Sequence, residues 1–501
     1  MEESDQSVRE DFATCAVPLD RRYGPLSMGL LWITMVSGFP SVLVGYEWHK
    51  AGFSFKQVLA GAFVSCLILL GYALSASHLG AVTGLNFALL TRSVFGKLGS
   101  QVISALQTFL FLVWYAMIAG FIAVELKGLF DIPLSTQVIA AVASILMAAN
   151  NLFGFAGVAN FAKFFAAPVL ILWIFSLCLK TSAMTSVGVW TEAGTGSFAT
   201  CLSVISSFVI GYSVWGNEPD FWRFARPNLW TTSIPLVVSI LIGQIIFPAS
   251  GWMLSRLVHI EDLSTATGAV TAFSFGKATL FAAIVLTASY FAAGDANLYG
   301  SINSIENLVQ VNRKRLVLSM MAFTAVVAII LTFYGKAFEI LSSFNSIVLP
   351  CVTIILVVEY FWIRRRGKAF SSREKSEKSS DRSSVAQSES ASDRSSVAQS
   401  ESASDRSSTQ SESASDGSFT QSESVNDRSS AAQSELASDA ESFHPGVLWP
   451  AMAALSLGWV VGVLTAGVIP GTAELHVGVW PLYAWSTSLC SYLLFRRLRN
   501  Q

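Results

Sequence analysis

Charge is scarce in this chain: Asp, Glu, Lys and Arg make up 13% of its 501 residues, against about 25% in an average soluble domain. So few charges cannot cover the surface of a water-soluble fold of this size. The mean hydropathy of +0.54 points the same way, to a bilayer as solvent. Cysteine is also thin: Cys15, Cys66, Cys178, Cys201, Cys351 and Cys490 stand singly, without CxxC spacing. That excludes a disulfide framework and a thiolate metal centre and leaves them as small apolar residues. The sequence has no HExxH, no GxSxG and no paired His/Cys cluster within an apolar run, so an enzyme is disfavoured. His49, His78 and His259 lie near the ends of apolar runs, outside any ligand spacing. A net charge of -1 excludes a nucleic-acid partner. The opening MEESDQSVREDF lacks the basic n-region and apolar core of a secretory signal. The first apolar run is therefore expected to act as its own insertion signal.

What the sequence has in quantity is apolar runs long enough to cross a bilayer, which takes about 20 residues as a helix. Roughly twelve are legible, at 28–47, 57–77, 99–124, 133–152, 155–179, 199–217, 232–257, 274–301, 316–334, 337–363, 447–468 and 474–495. The expectation is an all-α integral membrane protein of about twelve transmembrane helices. Basic clusters sit in alternate loops: Arg21 and Arg22, Arg92 and Lys97, Lys163, Arg223 and Arg226, Arg313 to Arg315, Arg364 to Arg366, and Arg496 to Arg499. By the positive-inside bias, these loops and both termini are cytoplasmic in an inner or plasma membrane.

The expected organisation is a cytoplasmic tail over 1–24, a ten-helix core over 25–363, a loop over 364–446 and two further helices with a short tail over 447–501. The loop is Ser-rich and nearly free of aliphatic residues, and DRSSVAQSESAS occurs at 381–392 and again at 393–404. Such a stretch cannot bury enough apolar surface to offset its ordering entropy and is expected to be disordered. It reads either as a tolerated expansion or as a regulatory, phosphorylatable tether.

Two runs are interrupted. The first carries Ser37-Gly38-Phe39-Pro40, and the sixth carries Gly211-Tyr212-Ser213 followed by Gly216-Asn217-Glu218-Pro219. Pro removes a backbone donor and Gly weakens a helix. Unwound backbone survives in a bilayer only against protein or a water-filled cavity. Breaks five runs apart point to one shared cavity between two repeats, as in secondary transporters, which also disfavours a channel. A charge inside a run is costly and marks function. Asp295, with Asn297 beside it, is the clearest case, whereas Asp220 and Arg223 read as gate residues, and Glu218 and Glu359 as gate or rim residues. Phe39, Trp114, Tyr115, Tyr212 and Trp215 could sandwich a flat ring.

Several segments carry a resemblance: Val17-Pro18 through Arg22, the stretch from Gly80 to Ser100 (GAVTGLNFALLTRSVFGKLGS), Pro219-Asp-Phe-Trp-Arg-Phe-Ala-Arg226, Asp295-Ala-Asn-Leu-Tyr299 and Val358 to Arg365. On these the chain resembles the nucleobase:cation symporter family, the purine-cytosine permease group, and within it bacterial cytosine permeases. The resemblance implies a leucine-transporter-like fold of two inverted five-helix repeats plus two extra C-terminal helices. It implies import of a nucleobase, hydantoin or small vitamin-like heterocycle by alternating access, coupled to Na+ or H+, with no other cofactor. The substrate site it implies is Gly38, Phe39, Trp114, Tyr115, Tyr212, Ser213, Asp295 and Asn297, with Ser289 and Asp295 for cation coupling and Asp220 and Arg223 as a gate. Two departures stand out. Ile118 occupies a position where some members carry Gln, and Ala288, Ala292 and Ala293 occupy positions of sodium-site hydroxyls. The expected partners are the heterocycle and the lipid bilayer. The expected unit is a monomer, although the residues fix no oligomeric state. A ligand sensor signalling through the Ser-rich loop is the alternative reading.

Overall fold

The computed structural model describes residues 12–13, 15–184, 187–212, 215–257, 263–276, 278–309, 311–331, 337–364, 446–467 and 469–499. The Ser-rich repeat and Ser213 lie outside the described residues, and with them the expectations placed on both. The chain divides into two compact units, Val357–Glu435 and the remainder. In the smaller unit the described residues include a π-helical turn, Glu359–Arg364. There Arg364 pairs with Glu359 at 3.3 Å and lies over the Tyr360 ring.

The described residues of the larger unit form helices joined by loops, and their one β feature is an isolated bridge between Tyr23 and Ala225. Its helices in chain order are α1 (Pro25–Val36), α2 (Phe39–Lys50), α3 (Phe55–Thr83), α4 (Phe87–Leu129), α5 (Thr136–Met147), α6 (Gly154–Phe161), α7 (Ala167–Met184), α8 (Phe198–Gly211) and α9 (Glu218–Trp222). They continue as α10 (Leu229–Ile240), α11 (Phe247–Leu257), α12 (Leu263–Phe275), α13 (Thr279–Leu308), α14 (Arg313–Leu331), α15 (Ala337–Val358), α16 (Trp449–Thr465) and α17 (Pro481–Arg499). Among the described residues seven helical stretches are long and apolar enough to cross a membrane, one of which, Thr136–Ala183, takes in both the fourth and the fifth expected runs, and the bent pair α1 and α2 makes an eighth. The other expected runs fall on shorter helices such as α8 and α16, or on α17, whose last turn carries Arg496, Arg497 and Arg499.

The surface is that of a lipid-solvated protein. Large apolar side chains such as Phe109, Leu172 and Phe175 face outward at 60% exposure or more, while Ser65, Ser77, Gln107 and Asn303 are buried. The core helices pair in a repeating way. Taking α1 with α2 as segment one, α3 as two, α4 as three and α5 as four, the continuation has α8 with α9 as six, α10 with α11 as seven, α13 as eight and α14 as nine. Segment three packs on eight, four on nine, one on seven and two on six. A shift of five segments maps this set of contacts onto itself, which is the pattern of an internal repeat.

The Gly80–Ser100 segment turns out to be an architectural device. Gly84 ends α3 in a left-handed conformation (φ 70°), and Asn86 caps α4 by accepting from the Leu89 amide at 2.8 Å. The third run, expected to begin at 99, begins at Phe87 and kinks at Gly96. Arg22 fastens the same corner, donating to the Val17 carbonyl at 2.6 Å and the Ala81 carbonyl at 2.5 Å.

Candidate substrate site

Both expected breaks are present. α1 and α2 meet at 47° across Ser37 and Gly38, and Pro40 opens α2 in its first turn, where its missing N–H costs nothing. A Cβ on Gly38 would stand 2.6 Å from Ser289 Oγ, and that hydroxyl donates to the Ser37 carbonyl at 3.3 Å. The first break is thus pressed against α13. In the second, α8 stops at Gly211 and the chain resumes helical form at Glu218. Carbonyls freed by the break are collected by a single side chain: Asn345 of α15 donates to Gly211 at 3.3 Å, Tyr212 at 2.9 Å and Trp215 at 3.2 Å. Its partners explain why a polar Asn sits fully buried in an apolar helix.

Aromatic rings gather between the two breaks. Phe39 meets Tyr290 edge-on at 6.4 Å, and Phe121 lies 6.1 Å from Tyr290. Trp114 lies 6.3 Å from Tyr212 and 5.7 Å from Phe338, and Phe338 links back to Phe121 at 6.1 Å. Four helices, α2, α4, α13 and α15, and the break after α8 therefore contribute to one ring-lined wall. On α4 these contributions form a stripe: Gln107, Phe111, Trp114, Ile118, Phe121 and Glu125 recur at helical spacing within roughly a quarter-turn of one another. Among the described residues, Trp114 Nε1 and both amide atoms of Asn217 are buried without a hydrogen-bond partner, and so is Trp215 Nε1, whose ring packs on Trp32. Asn217 is the side chain that a Cβ on Gly300 of α13 would meet, together with Phe111.

The structure divides the expected site residues. Gly38, Phe39, Trp114 and Tyr212 come together at this wall, and Asn297 is buried on the α13 face shared with Tyr290 and Ala293. Asp295 is elsewhere. Two residues along a helix is a rotation of about 200°, which turns Asp295 away from Asn297. Its carboxylate accepts from Asn150 at 2.7 Å and from Asn151 at 3.2 Å, in the turn Ala148–Phe153 after α5. Tyr115 sits on that side as well, donating to the Ser144 carbonyl and packing near Gly294.

The expected gate residues act as fasteners. Asp220 accepts from the Phe87 amide at 3.0 Å and from Gln107 at 3.3 Å. Arg223 donates to Phe12 at 2.6 Å, to the Tyr299 hydroxyl at 2.9 Å and to the carbonyl of Asp220 at 3.2 Å. Glu218 corrects the expectation of a rim position, because it is fully buried. One carboxylate oxygen accepts from the Gly216 amide at 3.1 Å and the Tyr72 hydroxyl at 3.5 Å. Glu125 lies one residue past 124, the expected end of the third run, and α4 continues to Leu129 and buries it. Its i+11 spacing from Trp114 was the signal that could have found it. As a sodium site, the region around Ser289 offers a thin oxygen set, one hydroxyl and the Ser37 carbonyl amid Ala288, Ala292 and Ala293. Among the described residues no group of three acidic, His or Cys side chains could hold a metal.

A family model described as "Permease for cytosine/purines, uracil, thiamine, allantoin" matches residues 19–380, which takes in both breaks and the ring-lined wall. The chain belongs to this family. The permease is 22% identical over 417 residues to the purine-uracil permease NCS1 of Arabidopsis thaliana, covering 72% of this chain and 65% of that protein, so it spans less than two thirds of the relative's length. Its fold is similar to that of Mhp1, a nucleobase-cation-symport-1 family transporter solved in a closed conformation with bromovinylhydantoin bound. The TM-score is 0.64 at 15% identity, over 97% of this chain and 96% of that one. A manganese transporter of Eremococcus coleocola is similar in fold as well, with a TM-score of 0.52 at 13% identity over 98% and 97% of the two chains. The permease is a multi-pass membrane protein of the transporter class and not an enzyme.

Proposed function

We propose that this permease imports a planar heterocycle of the nucleobase or hydantoin class, coupled to a cation, by alternating access around the two breaks. The observation that carries this reading is the ring-lined wall between them, in which Trp114, Phe338, Phe121, Tyr290 and Phe39 converge from four helices and Tyr212 from the second break. A flat ring presents two π-faces to such a wall and an edge of donors and acceptors to buried polar groups. Asn217 and the indole N–H of Trp114 supply that polar edge, with Asn297 buried on the adjoining face of α13. Ser289 and the break at Gly38 sense each other directly, so occupancy of the site can bias the angle between α1 and α2. Asp295 is assigned a positioning part, holding α13 to the turn after α5. Asp220 and Arg223 hold shut the end of the bundle that carries them, and the basic loops put that end and both termini in the cytoplasm.

The test is uptake into proteoliposomes of labelled cytosine, uracil, adenine, allantoin and benzylhydantoin, under an imposed sodium or proton gradient. Accumulation of at least one compound, competed by its unlabelled form and lost on collapsing the gradient, is the expected result. No accumulation of any of the five by correctly folded protein would overturn the reading.

A further inference from the structure

The α4 stripe that carries Trp114 and Phe121 ends in a carboxylic acid. Glu125 is 1% exposed, and among the described residues neither of its carboxylate oxygens has a hydrogen-bond partner. It stands 11 residues beyond Trp114, roughly three turns and about 16 Å along the same helix face. Its place is the far end of the ring-lined wall from the Asp220 and Arg223 fasteners. Tyr290, the ring that touches both Phe39 and Phe121, lies within electrostatic reach of Glu125.

The surroundings contain nothing to hold an ionised carboxylate. α5 and α12 pack on α4 and include no charged residue. On α14 the basic residues are confined to its first turn, where Arg313 pairs with Glu306 at 3.4 Å. On α13 the ionisable side chains are Tyr290, Asp295, Tyr299 and Glu306, and Tyr299 lies at the opposite end, accepting from Arg223 at 2.9 Å. Asp295 is held by Asn150 and Asn151, which leaves the Tyr290 hydroxyl as the titratable group facing Glu125 among the described residues. On α4 itself Lys127 points outward. A carboxylate withdrawn from water with no donor and no cation binds a proton instead.

We propose that Glu125 is the proton-binding group of this permease, loaded from the open end and buried neutral when the ring site closes. The proposal rests on the transport reading above and adds the coupling ion and the residue that carries it. The step balances simply: the carboxylate takes one proton from water on one side and gives it to water on the other, and no other bond changes. A single carboxylate with one phenol hydroxyl facing it favours a proton over a metal cation, which needs several oxygen ligands.

Two measurements test this separately from the transport reading. The first needs no substrate. Infrared difference spectra of the purified permease in nanodiscs, wild type minus Glu125→Gln, should contain the C=O stretch of a protonated carboxylic acid at neutral pH. Absence of that band, with Glu125→Gln folded as judged by its thermal transition, would overturn the proposal. The second uses uracil in proteoliposomes carrying a pH-sensitive dye. Wild type should acidify the lumen on uracil addition. Glu125→Gln should exchange labelled uracil across equal concentrations but lose accumulation by tenfold or more, and Glu125→Asp should recover part of it. Proton-driven accumulation by Glu125→Gln equal to wild type, or wild-type accumulation that follows sodium and ignores pH, would overturn it.

Discussion

Asn150 donates to the carboxylate of Asp295 at 2.7 Å, so the most conspicuous charged residue of the apolar core is fastened to the turn after α5. That bond and its companion from Asn151 at 3.2 Å fix how α13 lies against the neighbouring segment. Hydrogen bonds to a charged group contribute about 1.5–3 kcal/mol each. Asp295→Ala is therefore expected to lower the melting temperature in detergent by several degrees, and Asn150→Ala by less. Ligand affinity in the folded fraction, read as the thermal shift produced by saturating uracil, should change less than threefold in either variant. A selective loss of ligand response at unchanged melting temperature would place Asp295 in the site instead.

Gly38 and Gly211 both face close neighbours, but of different kinds. A Cβ on Gly38 would lie 2.6 Å from a movable hydroxyl, Ser289 Oγ, whereas one on Gly211 would lie 2.1 Å from the backbone carbonyl of Ser342. Backbone yields less easily than a side chain, so Gly211→Ala should destabilise more than Gly38→Ala, with overpacking costing about 1–3 kcal/mol. Removing the hydroxyl should relieve the milder case. The double variant Gly38→Ala/Ser289→Ala is expected to melt higher than Gly38→Ala alone, and equal melting points would contradict the contact.

Asn345 collects carbonyls from the end of α8 and from within the second break. Asn345→Ala leaves buried acceptors unsatisfied at a cost of about 1–3 kcal/mol each, so lowered stability and loss of uracil uptake are expected together. Asn345→Leu, which fills the volume without restoring a donor, should be no better than Ala. Rescue by Leu would mean that volume, not the amide, supports the break.

Trp114 touches both Tyr212 and Phe338, and an aromatic contact contributes about 0.5–1.5 kcal/mol beyond its area. Trp114→Phe should keep the wall and weaken uracil affinity by no more than about tenfold, and Trp114→Ala by considerably more. Competition binding on the purified permease measures both. Equal affinities for the two variants would remove Trp114 from the ring site.

Composition and the lengths of the apolar runs were enough to determine the solvent, the helical class and the two breaks, because a bilayer leaves the backbone no alternative to helices and tolerates unwinding only where protein encloses it. The Gly80–Ser100 stretch and the Pro219–Arg226 stretch were legible as family features, and their architectural work became visible only in the contacts of Gly84, Arg22 and Asp220. The sequence could not say which way a polar side chain on a helix turns. Asp295 and Asn297 are neighbours in the chain but lie about 200° apart around α13, and packing decided that one meets Asn150 while the other lies on the Tyr290 face. Glu218 was read as a rim residue from its proximity to arginines, yet α9 carries it under Tyr72. Glu125 sits beside an exposed Lys127, as a residue at a helix end would. Only the close packing of α5, α12 and α13 around α4 removes it from water, because burial belongs to the assembled surface and not to the helix that bears the residue.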